Sequence, residues 1–238
     1  MRAKIYLFGD SITEESFDDG GWGASLANHF ARTLDVVLRG YSGYNTRWAL
    51  KVIDEVFSSP ENDTKPLAIT VFFGANDACL VDESSGFQHV PQDEYKSNLH
   101  SIIAFIKKRW PTTRIILITP PPIDEDGRLK YPYIDNVSGL PERTNEAAGH
   151  YAKQCLAVAA EYDDILAIDL WTKMQQVPGW QKLYLRDGLH LTRDGNKVVF
   201  EEVIGRLREV SISPTTLPSD LPLIDDIDPN DPLKAFET

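Results

Sequence analysis

Five short apolar runs, separated by stretches of helix-like composition, constrain the fold of this chain more than any other feature. The runs are continuously hydrophobic rather than alternating, as is typical of parallel strands that helices cover on both faces. Parallel neighbours also need crossover connections of roughly a dozen residues or more, and the intervening stretches are long enough for them. The sequence therefore predicts strands over residues 5–8, 36–38, 67–73, 115–118 and 165–168.

The stretches between and after these runs have the composition of helices. Strands that alternate with helices favour an α/β fold in which helices cover both faces of a mostly parallel sheet. The expected architecture is a three-layer α/β/α domain built on a five-stranded parallel sheet. The predicted helices cover residues 24–33, 48–57, 92–109, 145–162 and 194–208.

The length and composition fit one domain followed by a different kind of segment. The chain has 238 residues, of which 42% are hydrophobic, and this is enough for a single domain with a full core. We expect that domain over residues 1–210. Residues 211–238 contain five prolines and several aspartates, which argues against a helix or a central strand. This tail is either solvated or docked on a surface through its apolar side chains, Leu221, Leu223, Ile224 and Phe236.

The charge of the chain limits the partners that it can have. The formal net charge is -12, and no cluster of lysine and arginine offsets it, so we expect no nucleic-acid partner. Neutral or cationic small molecules are more readily admitted as substrates. If the tail docks on a neighbouring subunit, the chain forms a homodimer.

The cysteines and the N-terminal residues indicate where in the cell we expect the protein. Cys79 and Cys155 lie too far apart for the close spacing of a zinc site or a redox dithiol, so we interpret both as buried thiols. The sequence shows no signal peptide, and no apolar run approaches the ~20 residues of a membrane span. We therefore expect a cytoplasmic protein without a membrane partner.

Functional residues follow the ends of the first three predicted strands. Ser11 follows the first, Gly43 the second and Asn76 the third. The carboxyl ends of parallel strands lie at one edge of a sheet, where ligands bind, so we expect these residues on one rim. Far along the chain, Asp187 and His190 precede the last predicted helix.

Ser11, Asp187 and His190 together suit acyl transfer, which needs a nucleophile, a base and a carboxylate that orients the base. Each alone has an ordinary structural explanation: a helix N-cap for the serine, a loop or cap residue for the aspartate, and a surface residue for the histidine. Their combination changes the interpretation. The three-residue spacing from Asp187 to His190 lets the carboxylate meet Nδ1 while Nε2 points toward Ser11. The pattern predicts a catalytic triad.

A tetrahedral intermediate of acyl transfer also needs hydrogen-bond donors around its oxyanion. The main-chain amide of Ser11 lies at the expected helix start, and Gly43 presents its amide without a side chain to block close approach. The side-chain amide of Asn76 supplies a third donor. As structural alternatives, Gly43 is a turn glycine and Asn76 a turn or cap residue.

Four short motifs in this order carry a family resemblance. They are GDSI at residues 9–12, SG at 42–43, GAND at 74–77 and DGLH at 187–190. Together they resemble the motif blocks of the SGNH/GDSL hydrolases. The resemblance implies a flavodoxin-like sheet, a hydrolase domain over residues 1–210, and catalysis without a cofactor or metal ion. It also implies a triad of Ser11, Asp187 and His190 and an oxyanion hole formed by Ser11, Gly43 and Asn76.

A narrower resemblance concerns the substrate. Longer stretches are similar to the isoamyl acetate-hydrolysing esterases of yeasts and plants, which implies short acyl esters, acetates above all. The chain departs from the secreted plant GDSL lipases, because those carry a signal peptide and a leucine where this sequence has Ile12. The similar stretches are residues 7–14, 39–50, 74–79 and 143–145.

Two other functions are compatible with parts of the pattern. In a metal-dependent phosphohydrolase, Asp10, Asp77, Asp187 and His190 would bind a divalent ion. This alternative gives the serine and the oxyanion donors no role. In the second alternative, the chain is a non-catalytic binding protein that keeps the α/β fold and catalyses no reaction.

The expected ligand is a small ester in a largely apolar pocket. Residues 81–91, which are rich in small and polar side chains, form either a flexible border of that pocket or plain surface. Several of the apolar candidates for the lining are also candidates for the core. They are Trp22, Tyr44, Trp48, Leu80, Val81, Phe87 and Trp180.

Overall fold

The computed structural model describes residues 2–58, 65–132 and 135–237. Within these residues a five-stranded sheet is parallel throughout, in the order β2-β1-β3-β4-β5. The parallel sheet is confirmed, and its strand order is the flavodoxin-like one. The strands are β1 (Ala3–Gly9), β2 (Leu34–Gly40), β3 (Ala68–Phe72), β4 (Arg114–Ile118) and β5 (Ile165–Ile168).

Helices connect these strands. The third predicted helix has the expected bounds, and the other four shift by one to four residues at an end. Three short helices, at residues 125–130, 170–175 and 180–184, were not predicted because they contain too few residues for a hydrophobic period, whereas the helix at residues 11–14 begins where one was expected. Among the described residues, no helix is both long and apolar enough to cross a membrane. The helices are α1 (Ser11–Glu14), α2 (Trp22–His29), α3 (Thr46–Val56), α4 (Gln92–Arg109), α5 (Glu125–Lys130), α6 (Asn145–Ala160), α7 (Leu170–Gln175), α8 (Trp180–Tyr184) and α9 (Arg193–Glu209).

The core lies on both faces of the sheet, which makes the domain three-layered. Along β1, Ile5 and Leu7 pack against the layer that contains α2, α7 and α9, whereas Tyr6 and Phe8 pack against α3, α4 and α6. All four side chains are buried. Because each fully buried large apolar side chain contributes about 1.5–3 kcal/mol, the two layers hold the strand ends in fixed positions.

The tail docks on the domain only in part, and not through the residues that the sequence indicated. Leu217 packs against the core. The Asp220 carboxylate accepts hydrogen bonds from Arg2 at 2.6 Å and Arg32 at 3.1 Å. The four side chains proposed as anchors are instead exposed by 41% or more: Leu221, Leu223, Ile224 and Phe236. Residues 1 and 238, the outer ends of the two predicted regions, lie outside the described residues.

Helix α1 packs directly on the end of β2, and a glycine makes this possible. A Cβ added to Gly40 would lie 2.0 Å from the backbone nitrogen of Glu14 and 2.3 Å from its Cα. Backbone atoms at such distances leave no room for any side chain. Gly40 therefore lets α1, which begins at Ser11, lie against the sheet edge.

We expect Gly40→Ala to lower the free energy of unfolding by about 1–3 kcal/mol or more, because the methyl group must push α1 away from β2. Gly205→Ala is the matched control. It lies within α9, where an added Cβ meets nothing within 4 Å, and it should stabilise the chain by about 0.5–1 kcal/mol. Urea denaturation measures both, and equal midpoints for the two variants would contradict this close-packing interpretation.

Candidate active site

The residues predicted to form one rim do lie together. β1 lies between β2 and β3, so the loops that follow these three strands meet at one edge of the sheet. Ser11, Gly43 and Asn76 border the same cavity, and His190 borders it from the other side. The topology explains why residues far apart in the sequence meet there.

Ser11, His190 and Asp187 form a continuous hydrogen-bonded line. Ser11 Oγ is 3.0 Å from His190 Nε2, and His190 Nδ1 is 2.7 Å from Asp187 Oδ2. The serine is 6% exposed, so its hydroxyl is close to the surface but shielded. With Nδ1 protonated and donating to the carboxylate, Nε2 is free to accept the serine proton.

Asp187 is fixed by more than its histidine. Its Oδ1 accepts hydrogen bonds from the main-chain amides of Leu189 at 3.0 Å and His190 at 2.8 Å. The intervening Gly188 has a φ of +91°, which lets the chain turn back on the carboxylate. Burial opposes ionisation of Asp187, but the hydrogen bond and charge of His190 outweigh it and hold the pKa of the carboxyl well below its usual value.

The N-cap of α1 is Asp10 rather than Ser11. The Asp10 side chain accepts a hydrogen bond at 3.0 Å from the amide of Ile12, and Ser11 is the first residue of the helix. The N-cap role, which was the structural alternative for Ser11, is therefore filled by Asp10. Asp10 is fully buried, and this burial raises its pKa to about 7. Its Oδ2 has no hydrogen-bond partner among the described residues.

The three expected oxyanion donors remain available. In the part of the chain that the structure describes, the amides of Ser11 and Gly43 have no hydrogen-bond acceptor. Gly43 has a φ of +77°, a conformation that favours glycine. Asn76 Nδ2 donates one hydrogen bond to Tyr44 O at 2.8 Å, which leaves its second hydrogen for the cavity.

Asp77, the last residue of the third motif, holds the neighbouring loop in place. Its side chain accepts hydrogen bonds from the hydroxyl of Thr46 and from the Thr46 amide, the latter at 3.0 Å. Thr46 begins α3, directly after the loop that contains Gly43. Burial raises the pKa of Asp77 to about 7. Asp77 thus connects the ends of β2 and β3.

These contacts leave the metal-site alternative without a ligand set. Asp10 caps a helix, Asp77 binds the start of another, and Asp187 pairs with His190. Over residues 2–58, 65–132 and 135–237, no three histidine, cysteine or acidic side chains are grouped so that they could hold a metal ion. The four residues of that alternative therefore serve separate structural and hydrogen-bonding functions.

The cavity beside Ser11 is small. Most of the residues that border it have polar side chains, but more of the surface that they turn toward the cavity is apolar than polar, in agreement with the apolar pocket expected. Its volume is about 140 Å³. None of the seven apolar residues considered for its lining borders it. Trp22 is fully buried in the core, and Trp48 stacks on Phe87 with ring centroids 6.2 Å apart. The residues that border the cavity are Ser11, Glu15, Ser42, Gly43, Asn76, Gln88, Arg128, Arg143, Leu189 and His190.

Four residues of the site escaped the sequence interpretation: Gln88, Arg128, Glu142 and Arg143. Arg128, Glu142 and Arg143 are charged side chains that are 2–3% exposed, and both arginines form ion pairs with Glu142. Arg143 belongs to a stretch that carried the narrower resemblance, but nothing in the sequence gave it a role. Gln88 lies in residues 81–91, so part of that segment does border the site.

Both cysteines are buried and free, as the sequence predicted. Burial raises the pKa of Cys79 to about 11 and that of Cys155 to about 12. Because only a thiolate is an effective nucleophile, these raised values keep both thiols unreactive at neutral pH.

Comparisons with known proteins agree with this geometry. Residues 5–203 match the model of the GDSL-like lipase/acylhydrolase family. A GDSL esterase/lipase of Arabidopsis thaliana is 66% identical over 239 residues, which cover 100% of this chain and 99% of the relative. An isoamyl acetate-hydrolyzing esterase 1 homolog of Rattus norvegicus is 44% identical over 218 residues, covering 90% of this chain and 86% of the relative.

Solved structures show the same fold. A lipase/acylhydrolase from Enterococcus faecalis superposes with a TM-score of 0.69 at 26% identity, covering 93% of this chain and 100% of that one. The parallel sheet with helices on both faces is therefore that of the SGNH/GDSL hydrolases.

The raised pKa of Asp10 predicts a pH-dependent effect of Asp10→Asn. The folded chain keeps the Asp10 proton up to about pH 7, whereas the unfolded chain loses it near its ordinary pKa of 3.8, so this group lowers stability as pH rises between these values. Asparagine retains the cap and does not titrate. The stability of the variant relative to wild type should increase by about 2 kcal/mol from pH 5 to pH 8. Urea denaturation at both pH values measures this difference, and a difference that stays constant would contradict it.

Proposed function

Because the chain belongs to the GDSL-like lipase/acylhydrolase family and is a carboxylic ester hydrolase, we propose that it cleaves short-chain, acetate-type esters through an acyl-enzyme on Ser11. The observation that carries this proposal is the hydrogen-bonded line from Ser11 Oγ through His190 to Asp187, with contacts of 3.0 and 2.7 Å. Such a line activates a serine hydroxyl, which is otherwise a weak nucleophile.

In the first step, Ser11 Oγ attacks the ester carbonyl carbon while its proton moves to His190 Nε2. A bond forms between Oγ and the carbonyl carbon, and the carbonyl π electrons move to the oxygen. The resulting oxyanion accepts hydrogen bonds from the Ser11 and Gly43 amides and from the Asn76 side chain. Asp187 stays ionised and stabilises the imidazolium that forms.

In the second step, the tetrahedral intermediate collapses. The bond to the alcohol oxygen breaks, and His190 gives its proton to the leaving alcohol. A water molecule then attacks the acyl-enzyme, His190 takes a proton from the water, and a second tetrahedral intermediate releases the carboxylic acid from Ser11. In the net reaction, the ester and one water molecule give an alcohol and a carboxylic acid, and Ser11 is restored. No step draws on a cofactor.

Two observations support acetate-type substrates. A cavity of about 140 Å³ lies well below the roughly 300–1,000 Å³ of sites that enclose drug-sized ligands, so it favours a small acyl group. In addition, relatives over 90% of the chain bear the name isoamyl acetate-hydrolyzing esterase 1 homolog. The net charge of -12 favours a neutral or cationic ester over an anionic one. The cytoplasmic location and the homodimer stay predictions.

Ser11→Ala tests the nucleophile. It removes the attacking oxygen while its Cβ keeps the start of α1, so we expect kcat for p-nitrophenyl acetate to fall by a factor on the order of 10⁴ or more. Ser101→Ala is the control, because Ser101 is an exposed helix residue whose hydroxyl donates a hydrogen bond to Ser97 O. It should retain full activity.

Covalent labelling separates the proposed function from its alternatives. A fluorophosphonate probe should label wild type and Ser101→Ala but not Ser11→Ala, and a metal chelator should leave esterase activity unchanged. Activity that chelation removes would support the metal-dependent alternative, and a wild-type chain that the probe does not label would support a binding protein.

A series of p-nitrophenyl esters tests the acyl preference. Each methylene group that a tight pocket cannot admit changes the barrier by about 1–3 kcal/mol. We therefore expect kcat/KM to fall at least about tenfold from acetyl to octanoyl ester. A second series with acetyl fixed and the alcohol lengthened isolates the leaving group. An octanoyl ester cleaved as well as the acetyl ester would refute the acetate preference.

A further inference from the structure

A buried arginine fixes which way two amide side chains face. Arg143 is 3% exposed, and its Nη2 donates hydrogen bonds to Asn76 Oδ1 at 2.9 Å and to Gln88 Oε1 at 3.0 Å. A guanidinium group donates hydrogen bonds and accepts none. Both amides must therefore turn their oxygen atoms toward Arg143 and their NH₂ groups away from it.

For Asn76 this orientation decides whether it can serve as an oxyanion donor. With Oδ1 against Arg143, Nδ2 donates one hydrogen to Tyr44 O at 2.8 Å and keeps the other for the cavity. If the amide were flipped, it would present an oxygen to the developing negative charge. The guanidinium group of Arg143 prevents that flip.

For Gln88 the same constraint acts on the loop that contains Gly43. Its Nε2 donates to Gly43 O at 2.8 Å and lies 3.4 Å from Asn76 Oδ1. Its main-chain carbonyl accepts a hydrogen bond from Asn45 Nδ2 at 2.7 Å. Gln88 therefore holds the loop on both sides of Tyr44 and restrains the backbone of Gly43.

Arg143 is itself held rigidly. Its Nε donates to Ala75 O at 3.0 Å, and its Nη1 donates to Glu142 Oε1 at 2.8 Å. Glu142 also accepts from Arg128 Nε at 2.8 Å. Arg128 Nη1 donates to the main-chain oxygen of Asp187 at 3.2 Å and lies 3.3 Å from its carboxylate Oδ2. Within the described residues, one buried network thus runs from the oxyanion donors to the triad carboxylate.

Arg143 Nη2 and Gln88 Nε2 have no hydrogens left to donate to the substrate. Arg143 Nη2 uses its two hydrogens on Asn76 and Gln88, and Gln88 Nε2 uses its two on Gly43 O and Asn76 Oδ1. Both side chains border the cavity, but they act on it through their neighbours.

We propose that Arg143 and Gln88 are positioning residues that orient two of the three oxyanion donors, the Asn76 side-chain amide and the Gly43 backbone. This inference rests on the proposed function. Donors that are already aligned need no reorganisation when negative charge develops, and losing one such donor lowers kcat by a factor of about 10²–10³. The two residues therefore affect the transition state and leave binding of the uncharged ester largely unchanged.

The test is a double-mutant cycle on p-nitrophenyl acetate with Arg143→Met and Asn76→Ala. We expect each single variant to lower kcat by about 30-fold or more, with KM within about threefold of wild type. Because Arg143 acts largely through Asn76, adding Arg143→Met to Asn76→Ala should cost clearly less than it costs in wild type. An equal loss in both backgrounds would overturn the proposal.

Gln88→Glu keeps the proposal testable even if Arg143→Met fails to fold. Glutamate has the size of glutamine and still accepts from Arg143, but it cannot donate to Gly43 O. We expect kcat to fall about tenfold with KM little changed, while Gln176→Glu, which makes the same charge change at an exposed position, should behave as wild type. Wild-type kcat for Gln88→Glu would count against the positioning role.

An inhibitor adds a readout that a merely structural role would not move. A trifluoromethyl ketone forms a tetrahedral adduct with Ser11 whose oxygen occupies the oxyanion position. Its affinity should fall in the Gln88 and Arg143 variants by the same factor as kcat/KM. If Ser11→Ala stays active, the proposed function fails. If Ser11→Ala and Asn76→Ala lose activity while the Arg143 and Gln88 variants keep it, only this inference fails.

Discussion

The ionised carboxylate of Asp187 is half-buried and has to stay paired, and the rest of the site depends on that pairing. The carboxylate accepts hydrogen bonds from His190 and two main-chain amides, and Arg128 Nη1 lies 3.3 Å from its Oδ2. Arg128 is 2% exposed and forms an ion pair with Glu142. Glu142 forms a second ion pair with Arg143. Breaking a buried ion pair costs about 3–5 kcal/mol when one partner is removed, so these four charges hold one another in place.

This network joins parts of the chain that are distant in sequence. Asp187 precedes α9, Arg128 lies in α5, Glu142 and Arg143 lie just before α6, and Asn76 follows β3. Their side chains meet because parallel strands bring successive loops to one edge of the sheet. The orientation of the proposed oxyanion donors and the ionisation of Asp187, the proposed triad acid, are therefore properties of one packed unit, and a change in the charged group is expected to affect both.

The sequence predicted those features that depend on local pattern. Continuous apolar runs indicated β1 to β5, and the ends of three strands brought Ser11, Gly43 and Asn76 together. It missed Gln88 and Arg143, because their roles arise from contacts between loops that no spacing encodes. The apolar residues that it offered for the pocket do not border the cavity. Trp22 bonds Ile12 O inside the core, which was its stated alternative, and Trp48 packs on neighbouring aromatic rings.

The hydrogen bonds of the polar side chains around this small cavity have a consequence for how an acyl group would be selected. Nitrogen atoms of Gln88 and Arg143 that border the cavity already donate to protein oxygens, and Arg128 pairs with Glu142 and Asp187. These groups leave little hydrogen-bonding capacity for the acyl chain beyond the oxyanion donors themselves. Discrimination by size alone is modest, about 10- to 200-fold for a methylene group, whereas a site that bonds a specific polar group discriminates far more strongly. Under the proposed function, the site thus combines rigid donors for the transition state with a preference for short acyl groups that is set by volume.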